Sequence, residues 1–314
     1  MKTTGLVGYA LMAMVATMTL TGCGDDNKDG AAPPKVQNMG KTLQRYGVIM
    51  GEWKHERGLF YYNDNGLLDR TSVPTAEGGS LFTNYTWDGN KMLTNAQDTN
   101  SDNITNDYIV TCTFGGNRLQ TQESPYATCN FVYSSDGSLT SAHMKGTRDE
   151  EREARITYAD GRIAAIDVRV GDGDRQRKTK YTFTYAGQTC NGMCFDVFTK
   201  IIQKHFGTPG NLLIVHPELI GLRRNELPST MSSIEIPYSF TVPFNATVTM
   251  ENYKWETDRQ GFVTGFSIKS KTTNLDITPS DAADNQASVL KRAAARADSH
   301  DDGDWDTTYY FEWN

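Results

Sequence analysis

Along this chain an aromatic strand end repeatedly meets a polar, glycine-containing turn, and an apolar strand start follows. The copies include Phe60-Tyr61-Tyr62-Asn63-Asp64-Asn65-Gly66-Leu67-Leu68, Tyr85-Thr86-Trp87-Asp88-Gly89-Asn90-Lys91-Met92 and Cys112-Thr113-Phe114-Gly115-Gly116-Asn117-Arg118-Leu119. Phe131 to Leu139 and Ile156 to Ile163 are clean copies, Phe183 to Gly187 is a truncated one, and Tyr253 to Val263 is a late one. Asp-Gly, Asn-Gly and Gly-Gly supply the positive φ that tight hairpin turns demand, with a twist that matches the flanking strands. Each copy therefore predicts a β-hairpin. The spacing between copies is irregular, which argues against a rigid solenoid.

Side-chain alternation supports the strands. Val110, Cys112 and Phe114 share one face and Thr111 and Thr113 the other. In Ile166-Asp167-Val168-Arg169-Val170 the apolar and charged residues separate completely, so one face of the sheet is expected to be wet. Between Phe195 and Phe206 the period changes. Phe195, Phe198, Ile202 and Phe206 fall on one helical face with Lys200 and Lys204 away from it, and Gly207-Thr208-Pro209-Gly210 ends the run. A second helical excursion is expected after Pro279-Ser280-Asp281, through Val289 and Leu290 to Ala297. The expected fold is α+β and predominantly antiparallel β: a meander of hairpins with a short mid-chain helix and this C-terminal excursion. The helical segment either divides two sheets or caps one curved sheet.

The N-terminus carries targeting information. Met1 and Lys2 precede an uncharged apolar run, Gly5 to Leu20, too short and too diluted by Gly, Ala and Thr for a permanent membrane helix. It closes on Leu20-Thr21-Gly22-Cys23, which resembles the lipobox of bacterial lipoproteins, and this implies lipid attachment at Cys23. The competing accounts are an ordinary secretory signal that happens to hold a cysteine, and a short buried helix. Residues 1–22 are then a signal peptide and 23–45 a lipidated cysteine with its tether, polar and containing Gly and Pro. Residues 46–190 form an N-terminal hairpin region, and 191–314 a helix followed by a C-terminal hairpin region that either stands alone or continues the first. Asp25, Asp26 and Asp29 resemble the export signal of surface lipoproteins in the Bacteroidetes, although a soluble spacer has the same charge pattern.

The hairpins resemble a family of Bacteroidetes surface lipoproteins of unknown function, with tyrosine- and aspartate-marked hairpins akin to the YD repeats of secreted toxins and adhesins. The likeness lies mostly in Leu219-Ile220-Gly221, Asn225, Leu227-Pro228 and Tyr253-Lys254-Trp255 leading to Gly261-Phe262-Val263-Thr264. It implies an antiparallel sheet with few helices, anchored in the cell envelope at the outer membrane. It carries no catalytic residues to transfer.

The formal charge of the chain is -7. Removing Met1 to Gly22 takes away Lys2 alone and makes it more acidic. No basic patch of the kind nucleic acid requires is present. The five histidines are scattered, with no His-x-x-x-His or Cys-x-x-Cys spacing, no Gly-x-Ser-x-Gly elbow and no phosphate loop. No catalytic residue and no cofactor is expected. Asp298, Asp302 and Asp304 fall at positions like those of a calcium loop, but Tyr309 stands where the bidentate Glu belongs, and a solvated acidic loop is the preferred account. Besides Cys23 four cysteines remain. Cys112 and Cys129 should be buried thiols kept apart by an intervening strand, while Cys190 and Cys194 enclose a short turn and are candidates for a disulfide.

Tyr61, Tyr62, Tyr309 and Tyr310 put rings on both faces of their strands, either as a platform for a glycan or protein ligand or because both faces are covered. The expected function is a non-enzymatic surface binding protein for a glycan or an envelope protein, held to its membrane by the lipid anchor. The alternatives are a structural or adhesive lipoprotein and, third, a hydrolase.

Overall fold

The computed structural model describes residues 32–36, 40–50, 52–74, 79–98, 109–147, 150–171, 177–191, 197–207, 210–221, 225–237, 244–277 and 307–314. The strands are β1 (Leu43–Met50), β2 (Trp53–Tyr62), β3 (Leu68–Pro74), β4 (Ser80–Asp88), β5 (Lys91–Asp98), β6 (Val110–Gly115), β7 (Arg118–Ser124) and β8 (Ala127–Tyr133). There follow β9 (Leu139–Gly146), β10 (Glu151–Ala159), β11 (Arg162–Val170), β12 (Arg177–Thr189), β13 (Glu226–Pro237), β14 (Phe244–Thr257), β15 (Val263–Ile277) and β16 (Thr307–Trp313). Between β12 and β13 lie α1 (Val197–Phe206), α2 (Gly210–Val215) and a 3-10 turn, Pro217–Ile220.

The hairpins are there, but the meander does not stay open. Every strand pairs antiparallel with its sequence neighbours, and β1 pairs with β16 to close a barrel. Tyr46 lies opposite Phe311 across the seam, and Asn314 takes two hydrogen bonds from Thr42 just beyond it. Closure leaves no unpaired sheet edge.

The turn glycines 66, 89, 116, 137, 161 and 261 all have positive φ and all lie at one end of the barrel, the turn end. The chain enters β1 and leaves β16 at this same end. At the opposite, loop end β3 gives way to β4, β5 to β6, β11 to β12, β13 to β14 and β15 to β16. Gly187 departs from the expected pattern: it lies within β12, where three residues bulge out between the pairs Tyr185–Pro228 and Thr189–Glu226. The expected C-terminal helical excursion lies outside the described residues.

The repeated aromatic has a structural job. Tyr62 donates to the Leu43 carbonyl, Trp87 to Leu68, Tyr133 to Leu119, Tyr158 to Leu139, Tyr185 to Ile163, Trp255 to Pro228 and Trp313 to Val263. In each case a strand running toward the turn end pegs its last inward ring to a carbonyl near the start of the strand before it. Phe114 fills the corresponding place in β6 without a polar tip.

Eight strands enclose just enough room for side chains, whereas sixteen leave space for water or a plug. Here the helical segment goes inside. Phe198, Ile202, Leu212, Leu213, Leu219 and Ile220 are fully buried in one core with inward wall residues such as Met92, Cys112, Leu119, Ile166 and Phe183. Each such burial contributes about 1.5–3 kcal/mol. Phe198 packs edge-on to Phe183 at 4.8 Å, and the Phe206 and Gly207 carbonyls accept from Cys129 and Gln122. The mid-chain helix therefore neither divides sheets nor caps one from outside.

Candidate functional site

The outer wall decides which solvent the barrel faces. On strands β8 to β12 the outward residues include Thr128, Asn130, His143, Glu153, Arg155, Asp167, Arg169, Lys178 and Lys180, and on β14 to β16 they include Lys254, Ser267 and Glu312. Ion pairs cross the strands on this surface, Arg45 with Glu312 at 3.2 Å and Lys178 with Asp167 at 3.2 Å, and Arg155 pairs with Glu153 along β10 at 2.7 Å. Membrane barrels have the opposite pattern, an apolar outer band and a polar lumen, and a Lys or Arg at the bilayer midplane costs about 2–4 kcal/mol. Among the described residues no apolar belt encircles this barrel. One apolar group does occupy the outer face of β13 to β15, where Ile234, Ile236, Ala246, Val248 and Leu275 are buried apart from the central core.

The lumen contains the plug and, opposite the polar face of the plug, a tyrosine-rich wall. Lys200 of α1 is exposed and stands 5.9 Å from the ring centre of Tyr309. Tyr309 stacks on Phe266 at 4.7 Å, and Phe266 on Trp255 at 4.6 Å. The Tyr253 hydroxyl donates to the Glu251 carboxylate. Burial and that carboxylate raise the Tyr253 phenol far above its usual range. Toward the loop end the inward residues Glu235, Thr247, Ser270, Thr272 and Asn274 are exposed, so the lumen there is polar and open to water.

Where α1 meets the wall, the Tyr181 hydroxyl lies 2.8 Å from His205 Nε2, and Arg152 donates to the His205 carbonyl at 2.6 Å. Burial pushes Tyr181 up to about 12. Burial, with Lys204 and Arg152 nearby, lowers His205 to about 4. At neutral pH the phenol is protonated and the imidazole neutral, so the phenol donates and the ring nitrogen accepts. The pair fixes the plug to β12 and exchanges no proton near pH 7.

The structure separates the residues singled out by sequence. Tyr62 and Tyr309 face inward: Tyr62 pegs Leu43 and meets His216 edge-on at 6.2 Å. Tyr61 and Tyr310 face outward beneath cations, Arg70 4.5 Å above Tyr61 and Lys54 4.8 Å above Tyr310. Cys23, Cys194, Asp298, Asp302 and Asp304 lie outside the described residues; Cys190 is buried at the end of β12. Cys112 and Cys129 lie on either side of Gln122 on β7, as the meander predicts. Among the described residues no three His, Cys, Asp or Glu side chains are placed to hold a metal ion. Sequence reading missed the Lys200–Tyr309 and Tyr181–His205 contacts, because each forms only when the helix is inside the barrel.

No protein-family profile matches the chain, and no curated protein sequence matches it. Solved structures do match in shape. A porin-like protein from Bacteroides vulgatus ATCC 8482 aligns with a TM-score of 0.53 and 10% identity over 87% of this chain and 99% of that one. Another from Bacteroides uniformis ATCC 8492 aligns with a TM-score of 0.51 and 13% identity over 87% and 98%. At these identities the chain shares their barrel fold.

Proposed function

We propose that this chain is a lipoprotein of the bacterial outer membrane whose barrel stands in water, held to the bilayer by lipid on Cys23, and that it serves as a non-enzymatic binding protein. The observation that carries this reading is the charged outer wall, which suits water and not acyl chains. The plug argues against a through-channel, and the likeness to Bacteroides porin-like barrels supports an outer-membrane setting.

Lys35 donates its backbone N–H to Asn117 and Val36 packs near Gly66, so the tether leaves from the turn end. The roughly 11 residues between Cys23 and Lys35 can span about 40 Å when extended, ample to lift the barrel off the surface. Both the turn end and the loop end with its polar lumen are then open to a glycan or protein ligand.

Single cysteines placed at Thr157 and Lys180 on the outer wall test this in intact membranes. Fast labelling of both by a membrane-impermeant maleimide, after the outer membrane has been opened, is expected. Protection of both until detergent is added would show that lipid covers the wall.

A further inference from the structure

At the turn end the sheet opens between β12 and β13. Tyr185 pairs with Pro228 and the next pair is Thr189–Glu226, so β12 spends three residues where β13 spends one. The gap and the adjoining β10–β11 turn form a cleft of about 290 Å³, lined by Asp160, Arg162, Tyr185, Thr189, Asn225 and Glu226. This is just below the usual range for drug-sized ligands and fits a single small ring.

The chemistry of the lining is specific. Arg162 Nε binds one Glu226 oxygen at 2.7 Å, and its guanidinium stands 5.7 Å from the Tyr185 ring centre. The other oxygen, Glu226 Oε1, is buried and accepts no hydrogen bond from the described residues. An acceptor in that state costs about 1–3 kcal/mol, which a ligand donor would recover. Asp160 opens the turn at φ 51°, a left-handed conformation uncommon outside glycine, and is one of the residues that line the cleft.

We infer that this cleft is a binding subsite for a neutral polyhydroxy ring, a single sugar residue. Hydroxyls both donate and accept. They can therefore satisfy Glu226 and Asp160 on one side and draw on Arg162 and Asn225 on the other, while Tyr185 offers an apolar edge to the ring. Arg162 already balances Glu226, so a cationic ligand would meet a guanidinium on arrival. The inference rests on the reading of this chain as a binding protein and gives that protein a ligand class.

The test is saturation-transfer NMR on the detergent-solubilised full-length protein, titrated separately with glucose, galactose, mannose and N-acetylglucosamine. At least one sugar should bind with a Kd on the order of 1 mM. Glu226→Gln and Asn225→Ala should each weaken it at least about tenfold, near 1.4 kcal/mol, without changing the circular-dichroism spectrum. If Glu226→Gln unfolds the rim by breaking its bridge to Arg162, Asn225→Ala decides, since it removes no ion pair. Silence from all four sugars, or binding that both folded variants leave unchanged, overturns the subsite. A silent panel from a protein whose outer wall still labels in water would remove the sugar site and leave the anchored barrel standing.

Discussion

The Tyr158 hydroxyl donates a 2.7 Å hydrogen bond to the Leu139 carbonyl, from an inward position at the end of one strand to the first residue of the strand before it. The same relationship, with Tyr or Trp as donor, recurs around the turn end. Tyr158→Phe keeps the ring and removes the donor, leaving a carbonyl without its partner. The expected loss is about 1 kcal/mol, read as a lower urea midpoint with an unchanged slope. A midpoint equal to that of the unmodified protein would show that the peg contributes nothing.

The plug makes one very close backbone approach. Gly221, at φ 64°, would place a Cβ 2.3 Å from the Gly137 carbonyl oxygen and 3.0 Å from the Leu139 nitrogen. Gly207, at φ 61°, would meet nothing within 4 Å. Gly207→Ala should cost only the backbone strain, about 1 kcal/mol. Gly221→Ala carries the same strain plus a clash with backbone and should cost at least about 2 kcal/mol more, measured by thermal unfolding. Equal costs would mean that the plug does not seat against the β8–β9 turn.

His205 predicts how stability depends on pH. An unfolded imidazole titrates near 6.5 and this one near about 4 in the fold. Between those values the unfolded chain binds the extra proton, so the contribution is complete above about pH 6.5, declines as the pH falls and is gone below about pH 4. The full swing is at most about 3 kcal/mol. His205→Gln should flatten the denaturation midpoint across that window. An unchanged slope would place the titration elsewhere.

Cys112 and Cys129 should resist alkylation in the native protein and react once it is unfolded. Burial pushes Cys129 up to about 12 and Cys112 further still, so thiolate is scarce at both. They are two strand spacings apart, about 9.5 Å, beyond the reach of a disulfide. A Cys112–Cys129 crosslink in non-reduced peptide maps would contradict the strand order around Gln122.

Much of this molecule is legible in local sequence, because hairpins are local. The glycines at 66, 89, 116, 137, 161 and 261 mark real turns, and Phe198, Ile202 and Phe206 mark the buried face of α1. Gly187 misleads because a bulge needs positive φ as much as a turn does. Closure is not legible: the pairing of Tyr46 with Phe311 joins opposite ends of the chain, and no local pattern encodes it. For the same reason the wet face shown by Asp167 and Arg169 could be recognised, but not which side of a cylinder it occupied. The meeting of His205 with Tyr181 follows only from closure around the helix.

The measurement that tests the account most directly is fractionation of the Cys23→Ala protein. Without its lipid, the chain should leave the membrane pellet, stay monodisperse without detergent, keep a β-sheet circular-dichroism spectrum and unfold cooperatively. A folded Cys23→Ala protein that stays in the pellet through alkaline carbonate and comes out only with detergent would contradict it, because the wall of charged strands would then have to lie within the bilayer.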